Sequence, residues 1–495
     1  MVMRNPLAPD AVADLGHHIL KRRLGTKSIV LMVVATAAPL GVMAGSAALA
    51  VGLGNSYGAA GTFVVVGVVM FLFSVALSAM AKYIRNSGAF YAYVGHGLGP
   101  ATGMAAAALA WLTYAAVTVA TFAYLGVQVD ALVQSYGGPA VTWWVYTAIG
   151  LVVVGVLGYN DIELAAKVLG VALILEVIVV LIVDAAIAVQ GGAEGLSLTA
   201  FAPSTVFGDL STFSIAALFC AVSFLGFEAT AVFRDEARDP DRTVPRATYI
   251  AIVFITAFYA VSTWLVSLAW PSSELQAVGS TGAPFLLGAA ERFVGPAMSH
   301  IIQVLIITSI LAVAISLHNI LARYQFVFAR SLVAPAVLGR LHPRANSPYV
   351  SSLVVSAVIT SALVICVLLG LDPVVQILAW FSGVSAAGFF VLLLLTCLST
   401  LVFFRRHKVD SRPWNTLVAP GLGVLALAWL LWITVSNFQY LVGGEPSLGY
   451  ALLATLPAAA AIGIGLTLLF KATQPQRYAG ILSLTQSSDD EPDGE

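Results

Sequence analysis

Three carboxylates stand inside long apolar runs, where an ionisable side chain costs a few kcal/mol or more and marks a functional position by default. Glu176 lies in VALILEVIVVLIVD, Asp184 follows it on nearly the same helical face, and Glu228 lies in CAVSFLGFEATAVF. Burial in apolar surroundings disfavours the charged form of a carboxyl. Glu176 and Glu228 can therefore carry a proton or pair with an amine, whereas the plainer reading of Asp184 is a structural hydrogen bond. His318 and Asn319 read as a polar contact between helices, and Tyr114 either faces a cavity or simply packs. Thr308, Ser309 and Ser316 offer hydroxyl oxygens of the kind that bind sodium.

Two further stretches combine helix breakers with polar atoms. ATAAPLGVMAGSA carries Pro39, Gly41, Gly45 and Ser46, and CAVSFLGFEATAVF carries Ser223 and Gly226 next to Glu228. Proline removes a backbone donor and clashes with the preceding turn, and glycine leaves helical angles cheaply. Backbone groups freed in this way are tolerable at membrane depth only where they line a cavity or bind something. Half-helix N-termini offer N–H groups to a carboxylate, and the facing carbonyls suit an ammonium or a cation. An α-amino acid carries both charges.

Other chemistry finds little support. Cys220, Cys366 and Cys397 sit in apolar runs with no metal-ligand spacing and no disulfide framework. GLGNSYG at 52–58 and GHGLGP at 95–100 join no strand to a helix, so neither is a nucleotide loop. The net charge of −1 gives no field that would draw nucleic acid. There is no HExxH motif and no nucleophile elbow, so the chain is not read as an enzyme, and no cofactor is implied.

The elements that must hold these residues follow from solvent. Of 495 residues, 60% are hydrophobic and 9% charged, against roughly 25% charged in a soluble domain. A helix needs about 20 apolar residues to cross the hydrocarbon core. Twelve runs qualify, near 28–54, 58–82, 98–131, 138–158, 162–190, 211–233, 247–271, 298–331, 350–370, 372–402, 417–437 and 449–471. The first follows a basic tail and is too long for a cleaved signal peptide. Lys and Arg favour cytoplasmic loops. With both termini inside, all of the 23 Lys and Arg but Arg292 fall on the cytoplasmic side, including Arg234, Arg238, Arg242 and Arg246. The expected molecule is an all-α polytopic protein of the cytoplasmic membrane with 12 transmembrane helices. A short interfacial helix is expected after Pro284, and the tail ending SSDDEPDGE should be disordered.

The two broken runs are the first and the sixth. That offset is what an inverted repeat of five spans produces, with a binding site at the midplane between the halves. The expected organisation is a cytoplasmic tail at 1–27, a first repeat at 28–190, a second at 211–402, two added spans at 417–471 and a disordered tail at 472–495.

Four stretches in order along the chain, AAPLGVMAG, KYIRNSGAFYAYVGHGLGP, SFLGFEATAVFRDEARDPDRTVPRA and LARYQFVFARSLVAPAVLGRLHPRANSP, resemble the amino acid–polyamine–organocation (APC) superfamily of permeases, in its amino acid permease branch. The resemblance implies a fold of the leucine-transporter (LeuT) type and secondary transport by alternating access. It implies substrate held by the backbone at Ala38, Pro39, Leu40 and Gly41, and at Ser223, Phe224, Leu225 and Gly226. Phe224 matches a gating aromatic and Glu228 a proton-sensing acid. Many members carry Gly-Ser-Gly-Ile-Phe where this chain has Pro-Leu-Gly-Val-Met. Some proton-coupled members carry a lysine near the place of Glu176, where a carboxylate instead carries the proton itself or holds a cationic substrate. The expectation is a proton-coupled importer of an amino acid. Sodium coupling, exchange, an amine or polyamine substrate, and a non-pumping sensor or channel are the alternatives.

Overall fold

The computed structural model describes residues 25–84, 89–159, 162–227, 230, 237–342, 347–442 and 445–485. Its regular elements are helices, in line with a chain whose backbone must satisfy itself in lipid. In chain order the main ones are α1 (Thr26–Thr36), α2 (Pro39–Ala44), α3 (Ala59–Ala81), α4 (Ala89–Leu98), α5 (Pro100–Ser135), α6 (Trp143–Tyr159), α7 (Ile162–Gln190) and α8 (Leu210–Val222). They continue as α9 (Pro240–Leu268), α10 (Pro284–Phe293), α11 (Pro296–Arg330), α12 (Tyr349–Leu368), α13 (Ala379–His407), α14 (Ala419–Leu441), α15 (Pro446–Thr473) and α16 (Pro475–Thr485).

Among the described residues, 9 helical stretches are long and apolar enough to cross a membrane, and Trp143–Leu157 and Leu210–Val222 are shorter apolar helices. One of the nine, Pro39–Ala81, runs through a π-helical segment, Ala50–Asn55, where Gly54 leaves helical angles, and then a 3-10 turn at Ser56–Gly58. Burial separates centre from rim. The apolar window of α5 is 78% buried and that of α15 only 17%, so α5 is a central pillar and α15 presents its side chains outward.

The broken pair α1–α2 lies among α7, α9 and α11, while the π-helical segment after it packs on α8. Four phenylalanines fix the chain just beyond α8. Phe227 meets Phe73 of α3 at 5.7 Å and Phe389 of α13 at 6.3 Å, both edge-on, and Phe389 meets Phe90 of α4. Each such pair contributes about 0.5–1.5 kcal/mol beyond its buried area.

The short helix expected after Pro284 is α10. Residues 475–485, expected to be unstructured, are helical. Tyr478 and Ile481 share one face of α16, Ile481 is fully buried, and the helix rests on α4 and α5. The acidic end, 486–495, lies outside the described residues.

Candidate functional site

The first break is built by proline. Pro39 disfavours helical angles at the residue before it, and Ala38 turns left-handed, with φ 43° and ψ 75°. The α1 helix ends at Thr36 and α2 restarts with Pro39 in its first turn. Three of the backbone groups set loose here find side chains. The Tyr259 hydroxyl of α9 donates to the Ala37 carbonyl at 2.6 Å. The Gly41 N–H donates to the Ser309 hydroxyl of α11 at 3.2 Å, and that hydroxyl donates to Glu176 Oε2 of α7 at 2.7 Å. The Leu40 N–H donates to Glu176 as well. One carboxylate, one hydroxyl and two backbone N–H groups thus close a buried set that ties three elements together. Glu176 is 2% exposed, and Leu40 and Ser309 are fully buried.

A second irregularity follows at Gly45, with φ −119° and ψ −92°. Beside it the Tyr124 hydroxyl of α5 donates to the Ala44 carbonyl at 2.7 Å. The break after α8 has a different construction. Ser223 returns its hydroxyl to the Phe219 carbonyl at 3.0 Å. The N–H groups of Phe224 and Leu225 donate three residues back, to Ala221 and Val222. Gly226 then takes φ 101°, a conformation that side-chain-bearing residues rarely adopt. Glu228 lies outside the described residues.

Between the two breaks lies a cavity of about 100 Å³. Ala38, Gly41 and Gly45 of the first break line it, as do Val222 and Leu225 at the second. One face of α5 (Val117, Ala120, Thr121 and Tyr124) and one face of α11 (Ile310, Val313 and Leu317) complete most of the wall. A second cavity of about 280 Å³ adjoins it and shares Gly45, Leu49, Tyr124 and Leu378. Gln128, Gln303 and the Thr281–Pro284 turn line this outer chamber. Ser135 at the end of α5 is 3.5 Å from Gln303 near the start of α11, so the outer chamber lies at the α10 end of the bundle.

The residues singled out from sequence divide by position. Ala38, Gly41 and Leu225 line the inner cavity. Pro39 shapes the break, and Leu40, Ser223, Phe224 and Gly226 are buried beside it without lining either cavity. Glu176 stands behind the wall, on the far side of Gly41 and Ser309. Tyr114 is buried and set against Tyr324, with ring centroids 5.9 Å apart, and lines neither cavity. Asp184 is 3% exposed and accepts a hydrogen bond from Ser262 of α9 at 2.6 Å. His318 meets the Ser352 hydroxyl of α12 at 2.8 Å, the interhelical contact expected of it. Of the polar side chains that line the inner cavity, sequence reasoning marked Ser46 in the first broken run and missed Thr121, Tyr124 and Ser382. The usable signal was the spacing Val117, Ala120, Thr121, Tyr124, which puts four residues on one helical face.

A broken helix at the centre of a bundle of apolar helices, with a cavity between two breaks, defines a helical membrane transporter. The chain belongs to the amino acid permease family, whose model matches residues 28–484. It is 24% identical over 467 residues to the branched-chain amino acid permease BcaP of Bacillus subtilis, covering 88% of this chain and 94% of that one. It is 23% identical to the lysine-specific permease LysP of Lactococcus lactis, over 79% of this chain and 78% of that one. A probable amino-acid permease of Schizosaccharomyces pombe is 25% identical over 70% of this chain and 60% of its own length. Among solved structures, a manganese transporter from Eremococcus coleocola shares the fold. The match covers 95% of this chain and 99% of that one, with a TM-score of 0.57 and 14% identity.

Proposed function

We propose that this multi-pass membrane protein imports an amino acid across the cytoplasmic membrane by alternating access, driven by protons. The observation that carries this reading is the Glu176–Ser309 set at the broken first helix. A buried carboxylate that can change its charge is wired to the backbone of the element that lines the cavity. Protonation of Glu176 weakens its hold on the Leu40 N–H and on Ser309, which loosens α2 from α7 and α11. Proton binding and movement of the site wall are then one event. Substrate is held at the backbone of residues 38–41 and 223–226, as the family resemblance implies.

Twelve crossings support the two-repeat organisation when Pro39–Ala81 turns back at Gly54–Gly58 and both shorter apolar helices also cross. The repeats are then 28–190 and 211–402, with 417–471 added, and both termini lie in the cytoplasm by the distribution of Lys and Arg.

Uptake of labelled amino acids into proteoliposomes under an imposed pH gradient is the direct test. The expected result is saturable uptake that rises when the outside is made acidic. Uptake that is indifferent to the gradient but requires external sodium, or an amino acid inside, replaces proton coupling with sodium coupling or exchange. Loss of all amino acid uptake by folded protein ends the reading.

A further inference from the structure

The inner cavity is chemically uneven, and the order of residues along its helices shows how. Thr121 and Tyr124 follow Val117 along α5, toward the end where Ser135 meets Gln303. Ser46 follows Ala38 and Gly41 along the broken first helix, toward the outer chamber that shares Gly45 and Leu49. The α11 helix runs the opposite way, so Val313 and Leu317 lie progressively farther from that end. Ser46, Thr121, Tyr124 and Ser382 are the hydroxyls of the wall, those of Thr121 and Tyr124 being donated to the Val117 and Ala44 carbonyls, and Val117, Val313 and Leu317 give the side away from α10 a hydrocarbon surface. Every described side chain in the wall is uncharged. Glu176 spends its hydrogen bonds on Ser309 and the Leu40 backbone, behind the wall.

We propose that the cavity selects amino acids with small to medium aliphatic side chains, with the charged α-amino and α-carboxyl groups at the broken backbone of residues 38–41 and the side chain against Val117, Val313 and Leu317. This rests on the transport reading above and narrows its substrate. A second ammonium, as in lysine or a diamine, would have to leave water for a hydrocarbon wall. An unpaired charge there costs far more than any contact returns. An aliphatic chain gains about 0.8 kcal/mol per buried CH₂ in the same place. Size agrees. A water molecule occupies about 10–15 Å³ on the measure that gives this cavity about 100 Å³, which leaves room for several heavy atoms.

The test is a ligand screen on the purified full chain by thermal shift, followed by competition against labelled leucine in proteoliposomes. The probes are leucine, valine, alanine, phenylalanine, lysine, glutamate and putrescine. Leucine or valine should stabilise most and compete at least tenfold better than lysine, glutamate or putrescine. Lysine or putrescine matching leucine overturns the assignment. Val313→Asp, which places a carboxylate in the hydrocarbon side, should raise lysine competition relative to leucine at least tenfold. Because that variant places a charge in a packed wall, Val117→Ala is the second arm. By widening the same side it should shift preference from leucine toward phenylalanine severalfold, and an unchanged ratio overturns the placement of the side chain. Failure of every probe both to stabilise and to compete, with no uptake of any of them, overturns the transport reading itself and this one with it.

Discussion

Ser309 is the hinge of the site at the residue scale. Its oxygen accepts from the Gly41 N–H while its hydrogen goes to Glu176, so one hydroxyl satisfies a backbone donor and a carboxylate together. Ser309→Ala leaves the Gly41 N–H unpartnered in a buried position and removes a donor from Glu176. A buried polar group left unsatisfied costs about 1–3 kcal/mol. The variant should lose that much, read as a lowered unfolding temperature of the purified protein, and unchanged stability would show that the set is not structural. Glu176→Gln is the complementary change. The amide keeps the shape, so stability should fall by about 1 kcal/mol or less, while the response of uptake to a pH gradient should flatten. Uptake that keeps the wild-type pH response would make Glu176 a structural residue only. The sequence made Glu176 conspicuous because a carboxylate in an apolar run is rare. It could not show that the partners are Ser309 and the Leu40 backbone, more than a hundred positions away in one direction or the other. Tyr124 stayed hidden for the opposite reason, since one tyrosine in an apolar helix looks like packing until the neighbouring break presents a free carbonyl at Ala44.

At the scale of elements, the breaks were legible and the close approaches were not. Pro39 announces the end of α1 through its missing N–H and its effect on Ala38. The glycines at 52–58 carry no such announcement, and what they do is steric. A Cβ on Gly52 would lie 2.0 Å from the Ser280 backbone nitrogen, so the π-helical segment lies flat against the turn that leads into the outer chamber wall. Backbone on both sides leaves nothing flexible to yield. Gly52→Ala should therefore force the two segments apart at a cost of about 1–3 kcal/mol, the range for overpacking, and should raise protease sensitivity of the 271–283 connection. The start of α8 is set by Asp209, which accepts from the Ser211 N–H at 2.8 Å and its hydroxyl at 2.7 Å. Those hydrogen bonds hold its carboxyl below the usual range. Because the folded carboxyl titrates below the unfolded one, its contribution is complete above about pH 4 and fades as pH falls through the folded value. Asp209→Asn should keep most of the cap and remove that acid-side dependence, as followed by unfolding temperature between neutral and acid pH.

For the whole molecule, solvent chemistry set the class before any site was considered. With 9% charged residues the chain has to be solvated largely by lipid, and its apolar outer helices, α15 above all, show where that lipid lies. Which end faces the cytoplasm rests on charge. The turn at Asp410 and Arg412 lies in the basic segment after α13, with Arg412 2.6 Å from Asp410, whereas the loop holding Ser272 and Glu274 includes Arg292, the one cation assigned outside. On the proposed topology the two loops lie on opposite sides of the membrane. Ser273→Cys and Ser411→Cys each place one thiol at an exposed position, and the native Cys220, Cys366 and Cys397 are buried, so they react slowly. A membrane-impermeant maleimide should label the variant at 273 in intact cells, and the variant at 411 only after the membrane is permeabilised. The reverse pattern would turn the molecule over and place the outer chamber on the cytoplasmic side, making the proposed import direction untenable. Labelling of both in intact cells would remove the odd number of crossings between these loops, and with it the paired repeats that put two broken helices on either side of one cavity.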